Sequence, residues 1–117
     1  MDINNEIDGK NKNFGRPENE KKSEDTQNFE KNFDMGIKNF QFKNYKSALS
    51  AFSTAIKLSK EEDISKEKYY KVYLNRGIAY LIMEDNTNAL NDFNRAVELS
   101  KEEDYRVYLN RGIAYLI

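Results

Sequence analysis

The chain has 117 residues, the size of one domain, and its 19 Lys plus Arg against 20 Asp plus Glu leave no basic excess for a nucleic-acid surface. Cysteine and histidine are both absent, which removes disulfides, thiolate chemistry, the commonest metal ligand and the commonest general base. The N-terminus has no apolar signal region and the longest apolar run, Ile78 to Met83, is too short for a bilayer, so the expectation is an intracellular, cytoplasmic protein without membrane contacts.

Residues 1–28 are rich in Asn, Lys and Glu, with Ile3, Ile7 and Phe14 scattered and Gly9, Gly15 and Pro17 as breakers. Such a segment buries too little apolar surface to offset its ordering entropy, so it reads as a disordered tail. From Phe29 a helical period sets in. Phe33, Ile37 and Phe40 recur at three- and four-residue spacing, and after Lys43 and Asn44 so do Ala48, Phe52, Ala55 and Ile56. A second hairpin follows, Lys66 to Met83 and Thr87 to Leu99, with its turn at Glu84, Asp85 and Asn86. A fifth helix is expected from near Lys101.

The chain repeats itself. Val72 to Ile82 recurs letter for letter at residues 107–117, and Leu-Ser-Lys-Glu-Glu-Asp stands at both 58–63 and 99–104. An array of one helical-hairpin unit is the natural reading: repeat one at 29–60, repeat two at 66–100, and the first helix of a third at 101–117. Ser59 and Ser100, each followed by acidic residues, read as capping boxes that open the next helix. Helix-start carboxylates diverge, so no metal site is assigned to them. The period stretches from 35 to 41 residues by Ile64 to Tyr69, which is expected to lengthen the following helix by over a turn.

These units resemble tetratricopeptide repeats. Gly36, Ala48, Phe52 and Ala55 match the family's small and aromatic positions in the first unit, Gly77, Tyr80, Ala89, Phe93 and Ala96 in the second, and Gly112 with Tyr115 in the third. The proline that usually joins repeats is Lys60 and Lys101 here, and Asn39 replaces the aromatic of the first helix. The resemblance implies an all-α, right-handed solenoid of about two and a half repeats, with Gly77 against Ala89 at the closest approach of a hairpin and Phe93 wedged between units.

It also implies a concave groove lined by matching rows of the first helices: Glu30, Asp34, Ile37 and Gln41, then Lys71, Asn75, Ile78 and Ile82, then Arg106, Asn110, Ile113 and Ile117. An isoleucine seam flanked by polar groups suits an extended or helical peptide. Ile78→Asp is expected to abolish binding without unfolding, as this row lies off the helix–helix contact. The five-residue carboxylate clamp by which some family members hold chaperone tails is matched here only by Asn75, with Arg106 as a stand-in for one lysine, and one arginine makes no clamp.

The function expected is a protein–protein interaction scaffold, not an enzyme. No catalytic residue or cofactor site is assigned, since phosphate loops and nucleophile elbows are missing as well. The contrasting expectation is a structural or self-assembling module, or a piece of a longer solenoid. A verbatim copy of an internal helix would bare Tyr108, Tyr115 and Leu116, and a homodimer through that helix would cover them.

Overall fold

The computed structural model describes residues 23–60, 64–100 and 105–116, and of Tyr105 the backbone alone. Among them are five helices and no strand: α1 (Glu24–Gln41), α2 (Tyr45–Leu58), α3 (Lys66–Ile82), α4 (Asn86–Leu99) and α5 (Tyr105–Leu116). None of these is long and apolar enough to cross a membrane. α1 packs on α2 and α3 on α4 as two hairpins, α2 meets α3, and α4 meets α5.

α1 begins five residues before Phe29, which corrects the boundary of the expected tail. Ser23 caps it, its hydroxyl accepting from the Thr26 amide at 3.1 Å, and Glu24 and Asp25 place negative charge on the positive end of the helix dipole. Phe29, 1% exposed, anchors the start. Local cap chemistry needs no apolar period, so periodicity missed this turn. Residues 1–22, where the rest of the tail falls, lie outside the described structure.

Both hairpin turns are built alike. Lys43 (φ 64°) and Glu84 (φ 65°) adopt the left-handed conformation just past the helix ends. The Asn44 amide then donates to the Asn39 carbonyl at 2.8 Å and the Asp85 amide to Tyr80 at 2.9 Å, which satisfies carbonyls the ending helices would orphan.

The joint between the two hairpins differs from expectation. Ser59 closes α2 and does not open α3, and Ser100 closes α4. The Ser59 hydroxyl donates back to the Ala55 carbonyl at 2.6 Å and shares a second hydrogen bond with the Tyr69 hydroxyl. Ser65 is the cap of α3, accepting from the Lys68 amide at 3.2 Å. The described part of α5 begins at Tyr105, and the expected start near Lys101 lies outside the described residues. The acidic residues at 61–63 and 102–104 lie outside the described structure. α3 has 17 residues, and four of the six extra residues, Lys66 to Tyr69, are helical, just over one turn.

Rings seated on glycines hold each hairpin together. A Cβ on Gly77 would stand 2.6 Å from Cε1 of Phe93, and one on Gly36 would strike Phe52 in the same way. The residue that fills the gap at Gly77 is therefore the phenylalanine of its own hairpin, and not Ala89. Both rings are fully buried, each such burial being worth about 1.5–3 kcal/mol.

Candidate functional site

α1 and α3 are the first helices of the two hairpins, and α1 touches α3 as α3 touches α5. On α3, positions 71, 75, 78 and 82 fall on one face by helical spacing, with their counterparts on α1 and α5. The structure brings part of this set together. Glu30, Asp34 and Lys71 line an open pocket of about 270 Å³ between α1 and α3, along with Phe29, Phe33 and Lys68. Phe29 and Phe33 stack at 6.2 Å between ring centroids, and the Lys68 ammonium pairs with the Glu30 carboxylate. The pocket thus joins an aromatic wall to charges of both signs.

The rest of the rows divides. Ile82 and Ile113 are exposed, at 46% and 39%, and Lys71 and Arg106 are exposed as well. Ile37 and Ile78 are half-buried and pack against the core. This corrects the expectation that the Ile78 row stands clear of packing, because α3 is buried on several sides and the row turns partly into its neighbours. Asn75 and Asn110 each donate the side-chain amide to the carbonyl four residues back, Lys71 and Arg106, at 2.8 Å. That leaves the amide oxygen of each to accept from a ligand.

Lys68 escaped the sequence reading because the added turn of α3 sets it opposite Glu30, and periodicity does not reach across helices. A second feature escaped as well. Arg76 on α3 holds Asp92 of α4 with two hydrogen bonds, Nε at 2.8 Å and Nη2 at 2.7 Å, and its Nη1 donates to Ser53 Oγ of α2 at 3.1 Å. Its guanidinium also lies over the rings of Tyr73 and Tyr80, 5.5 and 5.7 Å from their centroids. Burial pushes the Asp92 carboxyl up from its usual range, and Arg76 only partly pulls it back. One side chain therefore ties the first hairpin to both helices of the second. The available signal lay in the repeat itself: 41 residues earlier, Met35 and Ala51 stand in place of the pair.

Among the described residues, one face of α5 is apolar and exposed. Tyr108, Leu109, Tyr115 and Leu116 are exposed, Leu116 at 89%, and the patch includes all three residues read as a self-association surface. Compared with known proteins, the chain matches no family model, no curated protein and no solved structure.

Proposed function

We propose that this chain is a peptide-binding interaction module built as a tetratricopeptide-like helical array. The observation that carries this reading is the pocket at Phe29 and Phe33, which opens on the row that helical register assigns to the groove. The ligand is a short protein segment crossing α1, α3 and α5. An apolar anchor enters against Phe29 and Phe33, Asp34 and Lys71 read charges beside it, and Asn75 accepts a backbone amide. Ile82 and Ile113 supply apolar surface further along.

Selection of a peptide library on the full chain tests this. Selected peptides should share an apolar anchor and should lose at least about tenfold in affinity against Lys71→Glu or Ile82→Asp, roughly 1.4 kcal/mol. Both residues are exposed, so circular dichroism should show helix content unchanged. Ile78→Asp is the wrong probe, since a carboxylate there would disturb packing. Peptides that bind both variants as well as the parent would refute the groove.

A further inference from the structure

The charges around the pocket between α1 and α3 fall into two layers. Glu30 and Asp34 stand one turn apart on α1, and Lys68 and Lys71 almost as far apart on α3. In one layer the Lys68 ammonium pairs with the Glu30 carboxylate across the two helices. In the other, among the described residues, the Asp34 carboxylate and the Lys71 ammonium pair with nothing, although both are exposed and line the same cavity.

An acid and a base that share a cavity without meeting favour a ligand with a charge of each sign between them. A ligand of one sign would pair with one group and repel the other, and an uncharged ligand would desolvate both without pairing either. The lining as a whole is neutral, two acids against two lysines, so it attracts neither cations nor anions as a class. The acid is not repeated along the groove: Asn75 stands on α3 where Asp34 stands on α1.

We propose, on the peptide-binding reading of this groove, that the pocket selects a partner segment with an apolar anchor between charges of opposite sign. The anchor lies against the half-buried Phe33 ring. A basic side chain on the α1 side pairs with Asp34, and an acidic one on the α3 side pairs with Lys71. In an extended segment the two charges stand two residues before and after the anchor, because alternate side chains share a face. The chain's own residues outside the described structure do not carry this signature. Two places either side of Phe14 are Lys12 and Arg16, both basic, while Ile7 has Asn5 and Gly9, and Ile3 has Met1 and Asn5. Residues 61–63 and 101–104 contain no apolar residue. A second copy offers only the same stretches, so the segment belongs to another protein.

The probe is a set of four capped peptides that share a central phenylalanine between threonines. Two places before and after it they carry lysine and aspartate, two lysines, two aspartates or two serines. In NMR titrations of the full chain the lysine–aspartate peptide should bind about tenfold more tightly than the other three, each exposed pair being worth about threefold. Asp34→Asn should cancel the gain from the peptide's lysine, and Lys71→Gln the gain from its aspartate. Exchanging the charges, Asp34→Lys with Lys71→Asp, should restore the preference, because a peptide can cross the groove in either direction. In molar salt the preference should vanish while the anchor still binds. Four peptides that bind alike overturn this specificity and leave the groove reading standing. Four that shift no resonance at millimolar concentration overturn the groove itself. Magnetisation transfer between residues 1–22 and the Phe33 ring in the free chain overturns a partner and gives the pocket to the chain's own N-terminal segment.

Discussion

Arg76 and Asp92 are where a single side chain matters most. Their side chains are 18% and 4% exposed, so removing either one leaves a charge with little water around it. Arg76→Met or Asp92→Ala alone should each cost about 3 kcal/mol in urea unfolding. Together they recreate Met35 and Ala51 of the first unit, and the double variant should come within about 1 kcal/mol of the parent, since replacing a buried pair with apolar groups is often neutral or better. The raised Asp92 carboxyl points the same way. An acid held above its unfolded value carries its charge at a cost, so its contribution to stability falls as pH rises from the unfolded value to the folded one and then stays flat. A double variant as unstable as the sum of the singles would mean that the pair is worth its full contact energy. Periodicity could not pick out either residue, because an arginine and an aspartate sixteen apart on different helices leave no period to read; only comparison of the two units, with Met35 and Ala51 at the matching places, marks the pair.

At the scale of helices the periodic part of the chain was legible and the ends were not. α3 and α4 lie within a residue of the bounds read from their apolar spacing, since Val72, Gly77, Ala79, Ala89, Phe93 and Ala96 are all buried. The start of α1 and the role of Ser59 were missed, because a serine hydroxyl serves either end of a helix and its sequence neighbours do not say which. The glycine positions were read correctly as sites of close approach, but with the wrong neighbour. Gly77 and Gly112 now allow a paired test within one sequence. Gly77→Ala should cost about 1–3 kcal/mol, because the Phe93 ring is buried and has nowhere to retreat. Gly112→Ala meets nothing and should stabilise α5 by up to about 1 kcal/mol through helix propensity alone. Thermal unfolding of the two variants should therefore move in opposite directions. Equal shifts would mean that α5 is covered as α3 is.

The described helices pack mainly between chain neighbours, and the outermost two, α1 and α5, are unlike. On α1 the residues matching Val72 and Ala79 are Lys31 and Lys38, exposed and polar, whereas α5 presents Tyr108, Leu109, Tyr115 and Leu116. This asymmetry was partly legible, since the copied helix was expected to bare its tyrosines. The pocket was not, because it depends on how far α1 and α3 lie apart. Unequal burial implies unequal local stability. Among the described side chains, α5 buries Val107 and Ala114, while α3 buries Tyr69, Tyr70, Val72, Leu74, Gly77 and Ala79. Losing the burial of one valine and one alanine costs only a few kcal/mol, at about 1.5–3 for the valine. α5 should therefore open on its own, below the free energy of global unfolding. In native-state hydrogen exchange its amides should exchange with little dependence on low urea, while those of α2, α3 and α4 should follow the global slope. Val107→Ala, which removes two buried methyl groups, should speed exchange in α5 severalfold or more and should leave the protection of α1 unchanged. Amides of α5 that merge with the global isotherm would show that this end unfolds only with the rest.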